Sequence, residues 1–246
     1  MRSLRVAVFF VALLLLWEWF VSLEVLPAYI LPAPSEIALT LAKDYPLLLQ
    51  NSYATLLETL VGFAAAVVVG VFLAVLMVYS DFLRSVLYPI LITIRSVPIV
   101  AIAPILIVWF GFGLMSKLVL AFLISFFPIT VNTISGMTDI DPGKMEMASA
   151  LTQNRNRIFW KLRLPHSLPY LFDGLKISLP LALIGAIIGE FVGANTGLGN
   201  LILVAGSVMK TPLMFATLVV IAVISLVLFG LIVWADKRVA WWRSLQ

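Results

Sequence analysis

Long apolar stretches alternate with short polar intervals along nearly the whole chain. An apolar run of roughly 20 residues is long enough to cross a ~30 Å hydrocarbon core as a helix. The pattern therefore predicts an all-α integral membrane protein with a single domain over residues 1–246 and six transmembrane helices. The predicted spans are residues 6–23, 54–79, 86–109, 117–137, 174–194 and 213–234, with a polar cytoplasmic loop at 139–173.

The composition supports a membrane protein and excludes several functions. Hydrophobic residues make up 63% of the chain and charged residues 11%, whereas about a quarter of a soluble domain is charged. The absence of cysteine excludes disulfides and thiol catalysis, and His166 has no second His beside it, so we expect no metal site. The chain has no Gly-x4-Gly-Lys-Ser/Thr phosphate loop, so it is not expected to hydrolyse ATP or to act as an enzyme.

The basic residues predict the orientation of the spans. Because cytoplasmic loops are enriched in Lys and Arg, the side with more basic residues is predicted to be cytoplasmic, and it carries both termini. The other side carries Lys43, Lys117 and Lys210. The net charge of +4 is explained by this asymmetry, so a nucleic-acid partner is not expected. The predicted cytoplasmic set is Arg2, Arg5, Arg84, Lys144, Arg155, Arg157, Lys161, Arg163, Lys176, Lys237, Arg238 and Arg243.

Polar and proline residues within the spans are candidates for a translocation pathway. Prolines break the third predicted span, and such breaks are tolerated in a membrane where protein or a watery cavity covers them. Arg95 in that span either faces the pathway or a partner, or reaches the interface. Glu190 either contributes to a gate or bonds a neighbouring helix. The pathway candidates are Arg95, Pro98, Asn132 and Glu190.

Two rows of small residues recur every four positions and predict close helix packing. One row lies in the second span and includes Gly62 and Gly70. The other lies in the fifth span and includes Gly185, Gly189 and Gly193. Small residues let neighbouring helix backbones approach closely in a membrane. If two copies of the chain meet, the helix of the fifth span is a candidate to lie at the central seam.

The interval from Glu146 to Pro165 is the longest polar stretch between spans. Asp141-Pro142-Gly143 ends the fourth span, and the aspartate is suited to capping a following helix. Basic residues and an aromatic pair, Phe159 and Trp160, which we expect to be exposed, follow this helix. The segment is either a solvated basic loop that sets topology or a short helix that docks into a partner protein.

This interval resembles the "EAA" loop of bacterial ABC importer permeases. The family pattern is Glu-Ala-Ala, three residues, Gly, nine residues and Ile-x-Leu-Pro, and the spacing is unbroken here. Met147 stands where Ala is usual and Thr152 where Gly is usual. Further motifs, in family order from about residue 31, resemble those of the nitrate, taurine and sulfonate branch: Leu31-Pro32-Ala33-Pro34-Ser35, Arg95-Ser96-Val97-Pro98, Trp109-Phe110-Gly111-x-Gly113, Phe126-Phe127-Pro128-x-x-x-Asn132-Thr133 and Gly197-Leu198-Gly199.

The resemblance implies a type I (MetI-like) permease fold and a transmembrane subunit of an ATP-driven importer in the bacterial inner membrane. Two ABC ATPase subunits would carry ATP and Mg²⁺, a second permease copy would complete the pathway within the lipid, and an extracytoplasmic binding protein would deliver a small solute. The residues expected to couple to the ATPase are Glu146, Ala148, Thr152, Arg155, Arg157, Phe159, Trp160, Leu164 and Pro165.

Two other classes and the choice of solute are also considered. An ion-coupled carrier or channel would be expected to show inverted repeats and paired intramembrane charges, and a membrane enzyme would need a nucleophile with a base or a metal constellation. The family implies nitrate, sulfonates, taurine, pyrimidine precursors of thiamine or flavins as solutes. Residues 179–190 are more similar to the members that carry heterocycles.

Overall fold

Helices account for almost the whole of the described chain. The structure is a computed structural model that describes residues 2–23, 27, 29–96 and 98–239. The helices are α1 (Arg2–Ser22), α2 (Pro34–Lys43), α3 (Tyr45–Tyr79), α4 (Asp81–Ser96), α5 (Ile99–Phe110), α6 (Leu114–Thr138), α7 (Pro142–Leu151), α8 (Arg155–Ile158), a π-helical segment (Phe159–Arg163), α9 (Leu164–Gly193), α10 (Leu198–Ser207) and α11 (Thr211–Val239).

Helices α3, α6 and α9 form the centre of the bundle, with α6 packed between the other two. Ala121 of α6 is fully buried. A Cβ atom built on Gly62 of α3 would lie 2.6 Å from the Ala121 Cβ atom, and one built on Gly185 of α9 would lie 2.7 Å from the Ala121 Cα atom. Both glycines are therefore needed for the backbones to come this close.

The other glycines of the two rows also face neighbours within the same chain. A Cβ atom on Gly70 would lie 2.9 Å from Thr130 Oγ1, and one on Gly189 would lie 3.0 Å from Lys117 Cα. A Cβ atom on Gly193 would lie 2.7 Å from the ring of Phe112. The glycine face of α9 is therefore covered by its own chain, and the placement of this helix at a seam between two copies stays a prediction.

Hydroxyl groups inside the bundle bond to the backbone of their own helix. Ser52 and Thr59 of α3 donate to the carbonyl oxygens of Leu48 and Thr55 at 2.7 Å. Ser125 of α6 donates to the carbonyl of the residue four positions earlier at 2.6 Å. These bonds satisfy polar groups without water, so the helices can bury them in apolar surroundings.

The outer helices are attached to the centre by polar contacts near their ends. Helix α11 packs against α9, α10 and α2. Lys176 of α9 forms ion pairs with Asp236 of α11 and with Asp173 of its own helix, each at 2.8 Å. The Glu18 carboxylate of α1 accepts from the Ser35 hydroxyl at 2.7 Å and from the Ser35 amide at 3.0 Å, and so binds the first turn of α2.

Four helices in the described chain are long and apolar enough to cross a membrane: Tyr45–Tyr79, Leu114–Thr138, Arg155–Gly193 and Thr211–Val239. The first of them begins before the predicted start at residue 54, because α2 ends at Lys43 and a new helix starts after Asp44. The predicted span 86–109 is divided between α4 and α5, where Pro98 precedes α5. The count of six spans stays a prediction.

The segment between the fourth and fifth predicted spans, residues 139–173, is helical over most of its length, and the helix expected after Asp141 is α7. Residues 155–193 form one 39-residue helix that includes the π-helical turn. Proline at 165 cannot donate, and its ring opposes the carbonyl four residues earlier. The wider π turn, in which the Leu164 amide bonds the Phe159 carbonyl, accommodates this proline without ending the helix.

The close approach at α6 predicts different outcomes for the same substitution at two glycines. Gly185→Ala places a methyl group against the α6 backbone and should lower the free energy of unfolding by about 1–3 kcal/mol. Gly230→Ala, on α11, has open space around its Cβ position and should be neutral or slightly stabilising. Thermal unfolding of the purified variants in detergent measures both, and equal midpoints would contradict the packing argument.

Candidate functional site

Residues 142–166, which we call the elbow, connect α6 to the rest of the long helix that contains α9. Asp141 caps α7 by accepting from the Gly143 amide at 3.1 Å. Thr152 ends α7 with an extended backbone (φ −160°, ψ 133°), so the residue that replaces the usual glycine needs no left-handed conformation. Asn154 then caps α8 by accepting from the amides of residues 156 and 157 at 3.0 and 3.3 Å.

The elbow is attached to the end of α3 through Tyr79. The Tyr79 hydroxyl donates to Asn156 Oδ1 at 3.1 Å, and its ring lies 4.9 Å from the ring of Phe159 between centroids. Phe159 is only 5% exposed, so the expectation that Phe159 and Trp160 are both exposed is wrong for Phe159. The physical reason is that one side of the π turn faces α3, and Trp160 lies outside that contact.

A second attachment joins the elbow to the end of α6. Arg163 Nη1 donates to the Met137 carbonyl oxygen at 3.3 Å, and His166 Nδ1 lies 2.8 Å from the Gly136 carbonyl oxygen. Carbonyls in the last turn of a helix have no partner within it, and basic side chains are suited to bind them. The elbow is therefore held by both central helices that end near it.

The outer surface of the elbow is exposed and mixes apolar with charged side chains. No residue of α7 is buried. Met147 and Leu151 are 65% and 77% exposed, and Trp160 is 65% exposed. Glu146, Arg155 and Arg157 are exposed beside them, whereas the predicted coupling residues Ala148, Thr152, Leu164 and Pro165 are half-buried. Large exposed apolar side chains on a polar segment are typical of a protein interaction site.

A buried cluster of polar residues, which we call the knot, lies at the opposite end of the bundle from the elbow. The Glu190 carboxylate of α9 accepts from the Thr55 hydroxyl and from the Gly199 amide, each at 2.6 Å. Thr55 also accepts from the Leu198 amide at 2.9 Å, and Asn51 accepts from the Gly197 amide at 2.8 Å. Side chains of α3 and α9 thus bind three successive amides at the start of α10.

The glycines of the Gly197-Leu198-Gly199 motif are explained by this cluster. Gly197 has a backbone φ of 116°, which residues with a side chain rarely adopt. A Cβ atom there would also overlap the Glu190 carboxylate. A Cβ atom on Gly199 would lie 2.8 Å from the Ile187 carbonyl oxygen. The motif therefore lets the backbone reach the buried acid.

An ion pair beside the knot was not predicted from the sequence. Lys117 of α6 forms a buried salt bridge with Glu58 of α3, although Lys117 was counted only among the basic residues on the side opposite the termini. The signal was present, because an acid within an apolar span needs a partner. Pairing reduces the cost of burying both charges, and the pair joins α3 to the start of α6.

The four pathway candidates do not form one cluster. The side chain of Arg95 lies outside the described residues, and Pro98 is exposed at the start of α5. Asn132 lies close to Gly174 of α9, and Glu190 is sixteen residues further along that helix. At about 1.5 Å per residue, Asn132 and Glu190 are roughly 24 Å apart along the helix axis.

Asn132 instead lines a cavity of about 560 Å³ halfway along α6. Its walls come from α3, α4, α6 and α9. Among the described residues, those that line it are apolar or aromatic apart from this asparagine. The volume is within the roughly 300–1,000 Å³ range of small-molecule sites.

This architecture defines a class of protein. The described helices form a membrane bundle with an exposed, anchored helical elbow at one end, which is the architecture of a transport permease. Residues 66–241 match the family model described as "Binding-protein-dependent transport system inner membrane component". The chain belongs to this family of ABC importer permeases, and it is therefore a multi-pass membrane transport subunit.

The chain is similar to curated permeases over nearly its whole length. A probable ABC transporter permease of Haemophilus influenzae is 37% identical over 93% of this chain and 94% of its own. The riboflavin transport system permease RibX of Chloroflexus aurantiacus is 36% identical over 98% and 91%. The formylaminopyrimidine transport permease ThiX of Halalkalibacterium halodurans is 32% identical over 100% and 98%.

A solved structure shows the same fold. An inward-facing crystal structure of the MetNI methionine ABC transporter matches 81% of this chain and 96% of its own with a TM-score of 0.66 at 24% identity. These comparisons confirm the resemblance, the MetI-like fold class and the assignment as an importer permease. They do not favour the ion-coupled carrier or channel.

The knot predicts that two buried threonines of α3 differ sharply in importance. Thr55→Val leaves the Leu198 amide and one Glu190 oxygen without a partner and should lower the free energy of unfolding by about 1–3 kcal/mol. The matched control, Thr59→Val, removes only a bond to a carbonyl of the same helix and should have a small effect. Thermal unfolding, with hydrogen exchange at the Leu198 amide, measures the difference. Equal losses in both variants would contradict the assignment.

Proposed function

We propose that the elbow is the contact through which separate ATPase subunits drive this permease to import a small solute. The observation that carries the proposal is the combination of an exposed outer surface with firm attachment to α3 and α6. An exposed segment that was loosely attached would absorb a partner's movement. A segment bonded at Tyr79, Arg163 and His166 transmits it instead.

The long helix from residue 155 to residue 193 supplies the lever. At about 1.5 Å per residue it is roughly 58 Å long, which exceeds the thickness of a bilayer. One end lies in the elbow, and the other end carries Glu190 in the knot. Displacement of the elbow by closing ATPase subunits would therefore tilt α9 against the knot and change access to the cavity between them.

The partners follow from the placement of ATP hydrolysis in separate subunits and of the transport pathway in this chain. Two ATPase subunits would bind ATP and Mg²⁺, and this chain would hold no nucleotide or other cofactor. A binding protein would dock at the end that contains the knot, and lipid would surround α11, whose apolar side chains are largely exposed. The glycine rows are used within the chain, so a second copy would meet it through other apolar surfaces. Helix α5 offers one, since Val108 is 81% exposed.

The elbow and both termini are assigned to the cytoplasm of a bacterial inner membrane by the positive-inside rule. Because the chain has no cysteine, labelling of a single introduced cysteine shows on which side of the membrane that residue lies. We expect Ser207→Cys at the end of α10 to react with a membrane-impermeant maleimide in intact cells. Ser149→Cys in the elbow should react only after the membrane is permeabilised. The reverse pattern of labelling would contradict the orientation.

Charge reversal in the elbow tests the coupling. Glu146→Lys replaces an exposed acid on α7 by a base. It should abolish the ATPase activity that the binding protein stimulates, because it reverses the charge that this surface presents to the ATPase. The spans should remain folded, since Glu146 has no buried contact. ATP hydrolysis by the reconstituted transporter measures the effect.

The control is a charge reversal at the other end of the molecule. Lys210→Glu changes an exposed residue between α10 and α11 and should leave retention of the ATPase during purification unchanged. Full stimulation of ATP hydrolysis in Glu146→Lys, or an equal loss of ATPase retention in both variants, would count against the elbow as the coupling contact.

A further inference from the structure

The cavity halfway along α6 has an aromatic wall. Phe122 and Phe126 line it one helical turn apart, with ring centroids 5.3 Å apart and an angle of 30° between the ring planes. The two rings are nearly parallel and form a stacked pair on one helix face. Aromatic rings bind other aromatic rings in offset stacked arrangements, so this wall is suited to a planar ring.

One polar side chain interrupts the apolar lining. Asn132 donates from Nδ2 to the Pro128 carbonyl at 2.8 Å, a bond that fixes the orientation of its amide group. An asparagine amide has two N–H donors and an acceptor oxygen, so this bond leaves bonding capacity. A site of mostly aromatic and aliphatic residues with one placed amide is typical of small-molecule recognition.

The charge of the lining discriminates between solute classes. Every described side chain that lines the cavity is uncharged. An anion moved from water against these side chains loses its hydration and gains no counter-charge from them, which is costly. A neutral ring that has polar atoms at its edge gains apolar contact and a hydrogen bond at the same time.

We propose that this cavity is a solute-binding subsite on the transport pathway, in which a neutral planar heterocycle stacks on Phe122 and Phe126 and bonds to Asn132. The proposal rests on the importer function proposed above and specifies its solute class. Two similar permeases are named for solutes of this kind, formylaminopyrimidine and riboflavin. A lipid tail would fill the apolar part and leave the remaining hydrogen-bonding capacity of the Asn132 amide unused.

The test uses the complete transporter, with its ATPase and binding protein, in proteoliposomes. Riboflavin and formylaminopyrimidine are the probes, and taurine, a zwitterion that carries a sulfonate and an ammonium group, is the charged comparison. In the double variant Phe122→Leu/Phe126→Leu, which keeps the apolar volume but removes the rings, the number of ring solutes imported per ATP should fall about five- to tenfold. Stimulated ATP hydrolysis should persist, because the elbow is unchanged.

Two further variants separate stacking from general damage. Phe126→Tyr keeps a ring in the wall and should keep most of the import. Phe72→Leu makes the same change at a phenylalanine of α3 that is 60% exposed and does not line the cavity, and it should import like the wild type.

Several outcomes would overturn the subsite. Unchanged import in the double variant would do so, and so would import of taurine by the wild type without import of either ring. A phospholipid retained by the wild type in native mass spectrometry and lost from the double variant would make the cavity a lipid site. In each of these cases stimulated ATP hydrolysis would leave the importer function standing, whereas failure of the ATPase to assemble with the permease would reject both proposals.

Discussion

The structure depends on the close approach of three helix backbones at Ala121. Gly62 and Gly185 leave no side chain between α6 and its two neighbours, so α6 lies between them in direct contact. In a bilayer this contact is favoured by packing rather than by exclusion of water, because lipid tails are as apolar as the side chains. The cavity and the two polar ends are therefore positioned by a centre that has little freedom to adjust.

The two ends of this centre differ in how they are stabilised. At the knot, acids and hydroxyls inside the protein bind backbone amides and a lysine, and the groups involved are buried. At the elbow, the anchoring bonds lie on one side and the opposite side is open to a partner. One end is suited to hold its shape and the other to receive force, and α9 joins them as a single helix.

The sequence allowed some of these features to be predicted and concealed others. The four-residue spacing of Gly185 and Gly189 predicted close packing, because helical periodicity alone places them on one face. It did not predict which helix covers that face, since this depends on contacts between distant segments. The ion pair of Lys117 was not predicted for the same reason, because its partner Glu58 lies in another span. Burial of Phe159 depends on Tyr79, which no local pattern connects to it.

Because α10 is held through its backbone amides, side chains next to it can be labelled without breaking the bonds that hold it. Asn51, Thr55 and Glu190 bind backbone amides, and the neighbouring side chains of Asn195 and Thr196 are exposed and not part of these bonds. A fluorophore or spin probe placed at these two positions would sit beside the far tip of α9 without loosening its attachment. Such a probe would follow the tilt of this helix during turnover.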